Sequence, residues 1–317
     1  MVRLKIWARR LLFVVVVAHI CLFMQMWKNI KNMYVTLGGK HNQEYFKDRY
    51  DFLILPDAQC QENPPFLVIL VTTTHDQFNS RMVIRKTWGK MRYIKSRRIV
   101  TYFLLGTTAS LAYQSSVLNE SAQYGDLLQM NFTDTYRNLT LKTVLAMKWV
   151  HQFCSSSSFV MKTDTDMFVN VFYLTKLLLW RKRISNFVTG FLKMNEKPIR
   201  IKTSKWYISK DEYPLEVYPT FCSGTGYVLS TDVTSKIYNV SHTVPIVSLE
   251  DVYVGLCLAR LHIIPEDLYI QDVFFTDKLE FSVCKFRKIV TAHYVTSSEL
   301  LHYWKELERS KDMICKS

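Results

Sequence analysis

The chain has 317 residues, 49% hydrophobic and 21% charged, enough apolar material for a large core, which excludes a broadly disordered protein. Its formal net charge of +14 invites a nucleic-acid partner. Half of that excess, however, sits in the first 50 residues, where nine Lys/Arg face only Glu44 and Asp48, and it argues against nucleic acid because that segment reads as a membrane anchor and stem.

The first feature in chain order is the apolar run Leu11 to Trp27, 17 residues without Asp, Glu, Lys or Arg. It is near the lower limit for a helix crossing a bilayer, where about 20 residues are typical. Arg3, Lys5, Arg9 and Arg10 precede it. The positive-inside rule therefore predicts a cytosolic tail over 1–10, a signal anchor over 11–27 and a lumenal or extracellular remainder. Met24, Gln25, Met26 and Trp27 offer no small-residue cleavage site, which disfavours a removed signal peptide. Sequons at Asn119, Asn131, Asn138 and Asn239 agree with the lumenal side. So do six cysteines beyond the anchor (Cys60, Cys154, Cys222, Cys257, Cys284, Cys315), an even number that allows up to three disulfides.

Residues 28–63 are mixed and polar and read as a stem ended by Pro64-Pro65, with a folded α/β domain over 64–317. FLVILVTTT (66–74) predicts a strand buried on both faces. A helix is expected over about 79–91, a strand over 99–106, a helix near 109–123 and a short strand over 126–130. A helix over 139–153 places Leu141, Leu145, Trp149 and Phe153 on one face. The apolar run FVM (159–161) then leads into KTDTD (162–166). Beyond it come a strand at 187–192, the stretch FCSGTGYVLS (221–230), a helix over 248–261, a strand-like KIVTAHYV (288–295) and a last helix over 298–308. Strand alternating with helix predicts an open, largely parallel α/β sheet, whose ligands bind beyond the carboxyl ends of its strands. Neither a dinucleotide fingerprint nor a P-loop is present.

Asp164 and Asp166 sit at such an exit. Two hard carboxylates there suit Mn²⁺ or Mg²⁺ with phosphates or waters, although aspartates also cap helices and make turns. Glu250-Asp251 precedes an apolar helix and is open between a general base and favourable helix-dipole charges. Arg81 and Arg85, at i and i+4, share a face that could meet a diphosphate or simply be solvated. His293, in an apolar run, is by default a satisfied core histidine.

Six ordered stretches carry a resemblance: SRMVIRKTWG, FLLG, YGDLLQMNFTDTYRNLTLKT, FVMKTDTDMFVN, YPTFCSGTGYVLS and LEDVYVGLCL. They resemble the β-1,3-galactosyltransferase and β-1,3-N-acetylglucosaminyltransferase family, glycosyltransferase family 31, from about residue 65 to 310. KTDTDMF and SKWYISKDEYP resemble its galactosyl members more than its N-acetylglucosaminyl members, whose acidic motif commonly has three consecutive aspartates. The resemblance implies a GT-A fold, a Rossmann-like open mixed sheet with flanking helices, in a single-pass type II Golgi membrane protein with a lumenal catalytic domain. It implies a UDP-sugar donor, UDP-galactose, Mn²⁺ (or Mg²⁺), and GlcNAc- or GalNAc-terminated glycan acceptors. By motif position, Asp166 and His293 would ligate the metal, with Asp164 on metal-bound water or the donor ribose. Asp251 would be the base, with Glu250 its neighbour. Thr72, Arg81, Arg85, Thr163, Asp164 and Thr165 would line the nucleotide side, and Phe221, Cys222, Ser223 and Gly224 the sugar pocket. Two rival expectations are UDP-GlcNAc as donor, and a non-catalytic membrane-anchored glycan-binding or chaperone protein on the same fold.

Overall fold

A computed structural model describes residues 15–22, 24–25, 50–90, 92–181, 184–268, 272–310 and 312–315. The predicted tail, much of the predicted span and most of the predicted stem lie outside the described residues. Residues 15–22 and 24–25 are helical, and no helix among the described residues is long and apolar enough to cross a membrane.

The domain is built on a mixed sheet. Strands β1 (Phe52–Ile54), β2 (Leu67–Thr72), β3 (Arg92–Ile94), β4 (Arg97–Thr107), β5 (Leu127–Thr133), β6 (Phe159–Asp164), β8 (Val188–Lys193) and β9 (Phe221–Ser230) lie in the order β1-β5-β4-β2-β6-β9-β8, with β3 hairpinned onto β4. The central strands β5, β4, β2 and β6 are parallel. β9 then runs antiparallel to β6, β8 to β9, and β1 to β5, so the sheet is mixed rather than largely parallel. A separate two-stranded ladder pairs β7 (Phe168–Val169) with β10 (Thr291–Ala292).

The six residues of β2 are all buried because the sheet is covered on both faces. Val68, Leu70 and Tyr102 pack with α3 (Leu139–Phe153), α5 (Thr231–Ser241) and α6 (Glu250–Arg260). The alternate residues Leu67, Ile69, Val71 and Phe103 pack with α1 (Phe78–Lys86), α2 (Leu111–Tyr124), α4 (Val171–Leu179) and α8 (Ser297–Arg309). A short α7 (Val283–Phe286) precedes β10. Chain chemistry sets the ends. Ser110 caps α2, whose exit is the left-handed Gly125 at φ 62°; Thr296 and Glu299 form a capping box on α8. Gly255 lets α6 approach β9, since a Cβ there would lie 2.6 Å from Phe221 Cβ.

Three expectations change. The stem does not extend to residue 63: β1 pairs with β5 and Cys60 bonds Cys154, so residues 52–60 belong to the folded domain. A second disulfide joins Cys284 and Cys315, while Cys222 and Cys257 are buried free thiols, giving two disulfides among the described residues. The strand expected over 288–295 contracts to β10.

Candidate active site

β2 and β6 are register partners at Thr72 and Asp164, the last residue of each strand. This places the Thr72 hydroxyl on Asp164 Oδ1, to which it donates. The chain turns at Thr165-Asp166, and the turn is pinned where Trp88 Nε1 donates to Met167 O (3.0 Å). Asp164 is one-third exposed and Asp166 half-exposed, so both reach the surface that ligands meet in such sheets.

The β7–β10 ladder brings a distant residue to this turn. It pairs Phe168 with Ala292, and Val295 N donates to Asp166 O (2.9 Å). His293 Nε2 therefore lies 3.3 Å from Asp166 Oδ2, and Nδ1 donates to Thr276 O (2.9 Å). Because a carbonyl only accepts, Nδ1 carries a hydrogen; when Nε2 is also protonated it donates to Asp166, and in the neutral ring its lone pair is available to a metal. Burial would raise Asp166, but the hydrogen bond with His293 holds it below the ordinary carboxylate range.

Lys162, in mid-strand on β6, joins this exit to α6. Its side chain is 6% exposed, and its Nζ lies 2.8 Å from Asp164 Oδ1 and 3.5 Å from Glu250 Oε2 and donates to Gly224 O at 2.6 Å. Burial lowers its affinity for a proton, and the Asp164 and Glu250 charges more than reverse this, so it stays protonated. Tyr227 OH donates to Glu250 Oε1 (2.5 Å), which leaves Glu250 buried with both oxygens engaged. Asp251 is only partly buried. Its Oδ2 accepts from Gly224 N (3.0 Å) and its Oδ1 from Val252 N (2.9 Å). A Cβ on Gly224 would meet Asp251 Oδ2 and Glu250 Oε2 at 3.4 Å, so the glycine leaves room for both carboxylates. Burial pushes both acids above their ordinary values.

Other expected residues sit differently. Arg81 is 1% exposed, pairs bidentately with Glu120 and donates to Thr74 O (2.6 Å) and Thr73 Oγ1 (3.1 Å). Arg85 pairs with Glu120 and Asp126. The shared face predicted for them exists, but it points at carboxylates of α2 and the α2–β5 turn, and Arg81 reaches the site only by holding the loop after β2. Thr163 is fully buried, with its hydroxyl donating to Thr225 O (3.0 Å), so it joins strands rather than facing a nucleotide. Phe221 and Cys222 belong to the core, and Ser223 is buried with its hydroxyl against that of Thr225 (3.2 Å), whereas Gly224 meets Asp251.

Sequence reasoning missed four contributors. Lys162 had one signal, a lysine inside a buried strand, and Tyr227 had none. Lys142 is completely buried, donating to Thr73 O (2.7 Å) and pairing with Asp134 (2.8 Å), and it supports the same loop as Arg81. Tyr136 is half-exposed, and its hydroxyl is pushed up by burial and then by the Asp251 and Asp164 charges.

A family model described as galactosyltransferase matches residues 79–269. β-1,3-galactosyltransferase 5 of Homo sapiens is 53% identical over 284 residues, covering 90% of this chain and 92% of that protein. β-1,3-galactosyltransferase 1 of Mus musculus is 41% identical over 282 residues, covering 88% and 85%. Among solved structures, galactosyltransferase LgtC in complex with donor and acceptor sugar analogues is similar at a TM-score of 0.40 and 10% identity, over 78% of this chain and 100% of that one.

Proposed function

Because the chain belongs to the galactosyltransferase family and is a galactosyltransferase enzyme, we propose that it moves galactose from UDP-galactose to the 3-hydroxyl of a terminal GlcNAc or GalNAc on glycoprotein or glycolipid glycans. The transfer is a single inverting displacement on a GT-A fold that leaves a β-1,3 linkage. The observation that carries this reading is the convergence of two acidic segments, the β6 exit and the start of α6, on the one ammonium of Lys162.

Asp251 is the base. Two N–H groups aim its carboxylate, it is open to an acceptor, and its raised proton affinity suits removal of a hydroxyl proton as the oxygen attacks the anomeric carbon. Glu250 is closed off by Tyr227 and Lys162 and acts by positioning Gly224 and Asp251. Asp164 and Thr72 face the donor nucleotide. The donor set of Asp166 and His293 fits Mn²⁺ or Mg²⁺, cations that keep waters and substrate phosphates as further ligands; among the described residues no group of three or more His, Cys, Asp or Glu side chains gathers for a metal. When bound, the cation supplies Lewis-acid neutralisation of the departing diphosphate.

Residues 1–10, 11–27 and 28 to about 49 are the cytosolic tail, signal anchor and stem of a type II Golgi protein in this reading, which protease protection of the domain in intact membranes tests. The decisive experiment is a donor-by-acceptor matrix on the fragment from residue 50, with UDP-galactose and UDP-GlcNAc against GlcNAc and GalNAc acceptors and linkage analysis of the product. Preference for UDP-GlcNAc would reassign the donor. Donor binding without any transfer would favour the non-catalytic reading.

A further inference from the structure

β5 runs parallel with β4, β2 and β6, so its carboxyl end lies at the same end of the sheet as Thr72 and Asp164, where ligands of such sheets bind. Beyond that end the chain makes one 3-10 turn, Tyr136–Asn138, and enters α3. The turn is held from three sides. Asn138 Nδ2 donates to Thr133 O (2.8 Å), Asp134 N to Thr107 O (3.0 Å) and Gly106 N to Asp134 Oδ2 (2.8 Å). Two further bonds set it between the two halves of the site. On one flank Asp134 pairs with Lys142, which donates to Thr73 O (2.7 Å), next to the Thr72 that bonds Asp164. On the other flank the Thr140 hydroxyl donates to Val247 O (2.7 Å), in the segment that leads into Glu250-Asp251.

This frame holds an aromatic side chain out of the core. No residue of the turn is buried, and Tyr136 is 51% exposed and belongs to neither packed face. Its hydroxyl is within electrostatic reach of Asp251, Asp164, Lys162 and Glu250, and burial followed by the Asp251 and Asp164 charges pushes it up. It is therefore a neutral phenol at working pH, able to donate a hydrogen bond. A rigidly held ring with one polar tip, at a strand exit, is the kind of group that fixes the orientation of a bound small molecule.

In the proposed displacement the acceptor oxygen is held at Asp251 and the departing diphosphate at the β6 exit, so the sugar in transit lies between them. A side chain tethered to both segments stands beside that sugar. We infer that Tyr136 is a donor-sugar contact that helps to set donor specificity: its ring lies against the galactose being transferred and its hydroxyl donates to a galactose hydroxyl. This rests on the proposed galactosyl transfer and deepens it, since it names a residue that reads the sugar rather than the nucleotide.

The test uses the full chain with Mn²⁺ present and titrates UDP-galactose and UDP separately by calorimetry, with initial rates on a soluble GlcNAc acceptor. Tyr136→Phe keeps the ring and removes the donor. It should weaken UDP-galactose binding roughly 3–10-fold and lower kcat/KM at least as much. UDP affinity, acceptor KM and thermal unfolding should stay within error of the wild type. Tyr136→Ala, which removes the ring as well, should weaken UDP-galactose further and still spare UDP. A Tyr136→Phe protein that matches the wild type in UDP-galactose affinity and kcat/KM overturns the proposal. Equal losses for UDP and UDP-galactose also overturn it, by moving the contact to the nucleotide, and a loss confined to acceptor KM does so by moving it to the acceptor. Failure of the wild type to transfer bound galactose would overturn the proposed reaction, while the affinity ratio between UDP-galactose and UDP, which needs no turnover, would still decide the role of Tyr136.

Discussion

Replacing Lys162 by methionine removes the one cation shared by the two acidic segments. Asp164, one-third exposed, can rehydrate, but Glu250, with a side chain 5% exposed, keeps only the Tyr227 hydroxyl. A buried carboxylate stripped of its partner costs about 3–5 kcal/mol, and the orphaned Gly224 carbonyl adds about 1–3 kcal/mol. Part of this is relieved because Glu250, already raised by burial, takes up a proton. The expected net loss is about 3 kcal/mol, a fall in Tm of roughly 6–12 °C for a domain of this size. Thermal and denaturant unfolding of Lys162→Met, Glu250→Gln and the double variant provides the cycle. With Lys162 gone, Glu250→Gln should cost about 1–3 kcal/mol less than it does in the wild type. Additivity within about 0.5 kcal/mol would refute the argument that this pair is coupled.

Asp251→Asn should keep UDP affinity but lower kcat by on the order of 10²–10⁴, a larger loss than Glu250→Gln causes; initial rates with calorimetric UDP titration check this, and equal losses would undo the choice of base. Asp166→Ala and His293→Ala should each weaken Mn²⁺-dependent UDP binding, and titrations with and without Mn²⁺ that stay unchanged would remove the residue from the metal shell. The Glu120 carboxyl, which burial alone would raise, is held below its ordinary value by Arg81 and then Arg85. Its stabilisation is therefore complete above the unfolded value of about 4.3 and is lost as pH falls through the lower folded value. Glu120→Gln should be the less stable protein at neutral pH, with the difference shrinking below about pH 4 in denaturant unfolding. Asn119, Asn131 and Asn239 are exposed, but Asn138 is half-buried and donates to Thr133 O (2.8 Å), and the Thr140 hydroxyl of its sequon donates to Val247 O (2.7 Å). Glycopeptide mass spectrometry should find Asn138 the least occupied of the four.

The central architecture was legible because its signals are local. A strand buried on both faces reads as an unbroken apolar run, as in LVILVT, and a helix over 139–153 shows its period, as α3 does over the same residues. The order of these elements predicts an open α/β sheet and puts Thr72 and Asp164 at strand exits, where they are found. Strands that pair antiparallel carry no mark of direction, so the sequence shows β1, at one edge, only as part of a polar stem and β9, between β6 and β8, only as a glycine-bearing stretch. The mispredicted roles have one cause. Arg81 and Arg85 at i and i+4 share a face whatever they meet, and only the packing of α1 on α2 supplies Glu120.

Sequence by itself thus determined which apolar runs form the central strands, where those strands end and which carboxylates stand at those ends, because each depends on neighbours within a few positions. Tertiary structure alone decided what the carboxylates meet. Lys162 reaches Glu250, His293 reaches Asp166 and Gly224 reaches Asp251 across pairings whose partners lie far apart in the chain. Electrostatics and hydrogen bonding act through space over a few ångströms, and sequence separation is no measure of that distance.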